Sequence, residues 1–110
     1  MSPLQLDPGR LSRHARLEEP VEVSDGMGGA STVWQTVRSL SIALEPVGAS
    51  RRERFERHQA ETRFRVICRA AGDILRGRRF SFATRNLLIE TVRDLDETGR
   101  YLTCQCVEET

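Results

Sequence analysis

Apolar and polar residues alternate with a period of two through most of the chain, and the alternation falls into separate stretches. From Arg13 onward, Ala15, Leu17, Val21 and Val23 share one parity while Arg16, Glu18 and Glu22 occupy the other. Neighbouring side chains of a strand point to opposite faces, so this pattern predicts a first strand. Pro20 has no amide hydrogen to give to a ladder, which predicts an edge position or a bulge and a bend near Glu19-Pro20. A longer strand is predicted from about Ala30 to Pro46, with Trp34, Thr36, Leu40, Ile42 and Leu44 on one face and Arg38 as the exception. That parity sends the only tryptophan and three aliphatic residues toward a core. Between the two strands stand Asp25, Gly26, Met27, Gly28 and Gly29, a run whose glycines accept the positive φ of a hairpin turn.

The second half repeats the pattern. Thr62 to Arg69 sets Phe64, Val66 and Cys68 against Arg63, Arg65, Ile67 and Arg69, and Arg79 to Ala83 places Phe80 and Phe82 together. Asn86 to Asp94 holds the more continuous run Leu87, Leu88, Ile89 and Val92, which predicts a strand buried on both faces. Arg100 to Val107 alternates Leu102, Cys104 and Cys106 with polar neighbours. Only after Gly48 does the period change. Ser50 and Glu53 have capping-box spacing and Glu53 stands four residues before Arg57, so a short helix is predicted from Arg51 to Ala60, anchored by Phe55 alone. The expected architecture is mainly β, a small closed or partly open β-barrel of about six antiparallel strands with one short inserted helix, because closure removes exposed edges. Residues 1–110 form one domain in this reading, with 1–10 as an extended N-terminal arm.

Composition narrows the function classes. A hydrophobic fraction of 38% and a charged fraction of 30% describe a globular chain. Its formal charge of +1 argues against a protein that holds nucleic acid through its overall field. Every one of the 17 basic residues is arginine. No apolar run reaches the roughly 18 residues of a membrane span, and the N-terminus lacks the charged start and apolar block of a secretory signal, which places the chain in a cytoplasm with no membrane partner. Cys68, Cys104 and Cys106 are an odd number, and the Cys-x-Cys pair lacks the second pair a closed zinc site needs, so they read as buried reduced thiols and no metal or cofactor is expected. His14 and His58 lie far apart with no nucleophile motif beside either, and no phosphate-binding loop is present, so no catalytic residue is assigned and the chain does not read as an enzyme.

The order of these features resembles a known family. Gly9, Leu11 and Arg13 open it, followed by a strand, the turn with Asp25, Gly28 and Gly29, then Trp34, and a strand ending at Glu45-Pro46. A charged helical stretch, a strand ending in Arg69, a turn with Gly77 and Phe80, an apolar strand through Ile89 and Val92, and a last strand with Cys106 and Glu108 complete it. In this order the chain is similar to the head–tail joining proteins of tailed bacteriophages, also called head-closure or stopper proteins, which occur in prophages and gene transfer agents too. Ile42 departs from the small alanine that the family often carries there.

The resemblance implies a structural protein at the neck of a virion or phage-like particle, assembled in the bacterial cytoplasm. It implies a homo-oligomeric ring of six or twelve copies that closes the exit of a DNA-filled capsid and offers a docking surface to the tail. Its partners would be a portal-side adaptor protein, a tail terminator or tail tube protein, and the double-stranded DNA passing through the channel. Carried onto this chain, the gate or lumen segment holds Arg51, Arg52, Arg54 and Arg57, which either line the channel or face a neighbouring subunit. Arg63, Arg65 and Arg69 become the candidate subunit interface, and Asp25 to Gly29 the contact with a neighbouring ring. The alternative is a small OB-like barrel that binds single-stranded nucleic acid, which requires exposed aromatic platforms among basic residues.

Overall fold

In a computed structural model of the chain, residues 11–47 and 63–109 are described. They form six strands: β1 (Arg13–Ser24), β2 (Ala30–Pro46), β3 (Arg63–Arg69), β4 (Arg79–Phe82), β5 (Arg85–Asp94) and β6 (Tyr101–Glu109). Each lies within two residues of a stretch predicted from the alternation. The inserted helix expected over 51–60 falls outside the described residues, as does the arm 1–10.

All six strands are antiparallel members of one sheet with the order β1-β2-β3-β6-β5-β4, and β4 pairs back onto β1 so that the sheet closes on itself. The period-two residues meet in the interior: Ala15 and Leu17 of β1, Ile42 of β2, Phe64, Val66 and Cys68 of β3, Phe80 and Phe82 of β4, Leu87 and Ile89 of β5, and Cys104 and Cys106 of β6. Full burial of an aliphatic or aromatic side chain of this size contributes about 1.5–3 kcal/mol, so these side chains dominate the stability of the fold. The interior is filled at both ends. At one, the connection between β3 and β4 folds across the opening and inserts Ile74, which is 3% exposed. Backbone bonds from Gly77 N to Ile89 O (3.0 Å) and from Ile89 N to Arg78 O (2.9 Å) tie this lid to β5. At the other, the Arg85 guanidinium lies over the rings of Phe64 and Phe82 (4.8 and 5.1 Å) and is held there by Glu108 at 2.8 Å.

Two bulges correct the sequence reading. Between the Leu17–Arg38 and Glu18–Thr36 pairs, β2 carries one extra residue, Val37. An extra residue reverses which face the following side chains occupy. Arg38, Leu40, Ile42 and Leu44 therefore keep the inward parity, whereas Trp34 and Thr36 join Glu18 on the outer face. Trp34 is half-buried beneath Arg79 and does not belong to the core, contrary to its apparent parity with Leu40. The irregularity also sits opposite Leu17/Glu18 on β2, two residues from the bend expected at Glu19-Pro20. The second bulge lies at Glu90, between the Ile89–Cys106 and Thr91–Gln105 pairs. It explains the continuous apolar run of β5: Leu87 and Ile89 face inward before the bulge and Val92 packs against the same core after it, so the strand changes parity and is not buried on both faces.

A second, smaller cluster covers part of the outside. Leu11, Ala43 and Ile67 are buried there, with Leu95 and Tyr101 packed against them. This explains the lone isoleucine among the outward arginines of β3.

Candidate assembly surfaces

β1 and β2 are longer than the strands around them, and the excess makes a projecting hairpin. β4 pairs with β1 only over Arg16–Glu18, and β3 pairs with β2 only over Ala43–Pro46. Beyond Glu18 the two strands have each other and no further described neighbour, with Val21 opposite Val33 and Ser24 opposite Ala30. Pro20 is tolerated because its missing amide falls in this two-stranded part.

The tip of the hairpin is preorganised by Asp25. Its Oδ1 accepts hydrogen bonds from Met27 N (2.7 Å) and Gly29 N (3.1 Å), and Asp25 N donates to Gly29 O at 3.1 Å. Gly26 and Gly28 have φ of 78° and 85°, a region that costs an L-residue about 1–2 kcal/mol. A Cβ on Gly29 would stand 2.7 Å from the Asp25 carboxylate. The turn residues expected from the sequence thus form a fixed loop, and Met27, 90% exposed, is its apex.

Ion pairs organise the base. On the outer face Arg79 donates to Glu18 at 2.7 Å and its guanidinium lies 4.1 Å from the Trp34 ring centroid. On the rim, Arg38 holds Asp73 of the lid through Nε (2.6 Å) and Nη2 (3.0 Å), while Arg78 donates to the Asp73 carbonyl (2.9 Å) and to Glu19 (3.0 Å). The hydrogen bond and charge of Arg38 hold the Asp73 carboxyl below the usual carboxylate range, and Asp73 in turn raises Arg38. Arg38, the residue that broke the sequence pattern, points inward because its charge is met by the lid.

The outward face of β3 is less open than its sequence suggests. Arg63 is paired with Glu90 at 2.7 Å and Arg65 with Glu45 at 3.6 Å. Arg69 is exposed and has no ion pair among the described residues. Arg51, Arg52, Arg54 and Arg57 lie outside the described residues.

Chemistry is sparse among the described residues. No group of three or more His, Cys, Asp or Glu is placed to hold a metal ion. The three thiols are buried and unbridged. The Cys104 thiol is raised by its hydrogen bond to Cys68, and burial pushes Cys106 up to about 12, so these two are protonated and inert at neutral pH. His14 is exposed on β1, and His58 lies outside the described residues. Aromatic platforms for single-stranded nucleic acid are also wanting among the described residues: Phe64, Phe80 and Phe82 are interior, Trp34 is covered by Arg79 and Tyr101 packs on the outer cluster. Among the described residues there is no helix long and apolar enough to cross a membrane, which says nothing of a membrane-crossing β-barrel.

Comparison with known proteins gives a consistent result. The profile of a family described as phage head completion protein matches residues 6–109. A chain in a solved virion of a native gene transfer agent particle is similar over 90% of this chain and 94% of its own, with 28% identity and a TM-score of 0.70. Protein SF1141 from Shigella flexneri 2a, solved in solution, shares the fold with a TM-score of 0.68 at 20% identity, covering 96% of this chain and 98% of that one. No curated protein sequence matches.

Proposed function

The chain belongs to the phage head completion protein family, and from that premise we propose that it is a neck component which closes the DNA-filled head of a phage or gene transfer agent particle and receives the tail. The observation that carries this reading is the match along nearly the whole chain, residues 6–109, joined to the likeness with a gene transfer agent virion chain. In this reading the protein acts through surfaces and not through a reaction. Copies form a ring, six or twelve in number, between a portal-side adaptor and a tail terminator or tail tube protein, around the path of double-stranded DNA.

The geometry supports a division of labour within each copy. A closed sheet filled with side chains is a rigid body, and rigidity reduces the ordering cost of docking. The hairpin extends that body outward and presents Met27 on a turn already locked by Asp25, which suits contact with a neighbouring ring. Because Arg63 and Arg65 are engaged within the chain, Arg69 is the outer arginine of β3 whose charge remains available to a neighbour. The segment 51–57, with its four arginines, remains the proposed gate or lumen element.

Deletion of the gene from a producing strain tests the reading. Expected are heads that lose DNA or lack tails in negative-stain micrographs, restored by the gene supplied in trans. Normal numbers of tailed, DNA-filled particles without the protein would overturn it.

A further inference from the structure

The two edges of the projecting hairpin are built differently. Past Glu18 the free side of β1 carries Glu19, Pro20 and Glu22, and charges and proline are the means by which proteins keep an open edge from pairing. The free side of β2 has no such guard. From Ala30 to Val37 it reads Ala, Ser, Thr, Val, Trp, Gln, Thr, Val, with no charge, proline or glycine, and β-branched residues in half the positions. Eight residues at about 3.3 Å each give roughly 26 Å of edge, on which about every second residue turns its N–H and C=O away from β1. Among the described residues nothing pairs with it. An unguarded row of backbone donors and acceptors is complementary to another extended backbone.

The surroundings specify the occupant further. A strand added to β2 here would take the place in the sheet order that β3 leaves when it ends at Arg69. At its foot, where β2 and β3 part, is a cleft of about 220 Å³ lined by Leu11, Arg38, Leu40, Ser41 and Arg69. Arg38 is neutralised by Asp73, and Arg69 has no ion pair among the described residues, so the cleft offers one uncompensated positive charge. Val33 and Val37, 49% and 36% exposed, flank the edge with apolar surface. A second copy does not fit through the described strands. The open β1 edge is guarded, and pairing β2 with β2 gives a twofold contact that is satisfied at two copies.

We propose that the outer edge of β2, Ala30–Val37, is a strand-docking site that accepts an extended, β-prone segment of a different polypeptide of the particle, with an acidic side chain seated against Arg69. The proposal rests on the reading of the chain as a particle component.

Hydrogen exchange of the isolated protein and of the same protein in purified particles tests it. The outward amides of residues 31–37 exchange freely in the isolated chain and slow by more than tenfold in the particle. A photo-cross-linking amino acid in place of Val33 identifies the occupant: an adduct with another polypeptide supports the site, and an adduct with a second copy overturns it. Thr32→Pro and Val33→Pro serve as a pair, since adjacent amides face opposite sides; the one whose amide faces outward leaves the urea midpoint unchanged yet lowers incorporation into particles at least tenfold. Val33→Lys lowers incorporation with the backbone intact, and Arg69→Glu lowers it where Arg69→Lys does not. Particles that contain the chain with 31–37 still unprotected overturn the docking site alone; particles that never contain the chain overturn the proposed function with it.

Discussion

Replacing Asp73 by Asn separates the lid from the rim of the sheet while leaving the interior untouched. Asp73 receives two hydrogen bonds from Arg38, at 2.6 and 3.0 Å, and the pair is partly exposed, 39% for Arg38 and 28% for Asp73. Hydrogen bonds to charged groups contribute about 1.5–3 kcal/mol when shielded, but exposed pairs only about 0.2–1 kcal/mol. Since Arg38 is more than a third exposed, screening lowers the expectation to about 1–2 kcal/mol at neutral pH. For a domain of this length that corresponds to a drop of roughly 4–10 °C in Tm. The pH dependence follows from the depressed carboxyl of Asp73. A group whose folded pKa is lowered contributes its stability above the unfolded value and loses it as pH falls through the folded value. Urea titrations at pH 7 should therefore show wild type more stable than Asp73→Asn, with the gap closing below about pH 4 while the slopes remain equal. Hydrogen exchange should show residues 71–78 opening first in the variant. Equal midpoints at pH 7, or a gap that persists undiminished in acid, would refute the role of the clamp.

Further outcomes follow from the interior and the bulges. Leu17→Ala, which opens a cavity at a fully buried position opposite Phe80, should cost about 2–5 kcal/mol in urea unfolding. In native buffer near pH 7 an aromatic disulfide reagent should label none of the buried thiols Cys68, Cys104 and Cys106, and all of them in denaturant, with a native labelling rate that tracks unfolding. Removal of Val37 makes the Leu17–Arg38 and Glu18–Thr36 pairs consecutive in a regular ladder, so Trp34 should stay on the outer face beneath Arg79 and its indole emission should remain unchanged. A shifted emission spectrum would show that pairing with β1 does not set the face of Trp34.

The strands were legible because each buries one face of a period-two pattern in a common interior, and turn residues such as Asp25-Gly26 separate them. Trp34 was misread for a specific reason. Its parity with Leu40 and Ile42 is correct by count, but one unpaired residue between them reverses the face, and an extra residue in one strand has no signature apart from its partner strand. The same loss of information made β5 look buried on both sides. Arg38 looked like an exception because Asp73, 35 residues later, is not recognisable as its partner until the lid is folded. The Arg63, Arg65 and Arg69 face was correctly placed outside, yet the pairing of Arg63 with the bulged Glu90 and of Arg65 with Glu45 depends on which strands become neighbours. The same holds for the hairpin: Val21 and Val23 share parity with Leu17, but only the register shows that β4 has ended before they are reached.

The filled interior has a consequence for the size of any duct in an assembly of these subunits. With Ile74 stopping one mouth and Arg85 the other, the barrel formed by the described residues has no bore, so in the proposed ring nucleic acid would have to travel through space enclosed by several copies together. The width of such a passage is then a matter of how many subunits stand in the circle and how far each leans, so that a change in stoichiometry would alter the aperture without moving a strand in the fold.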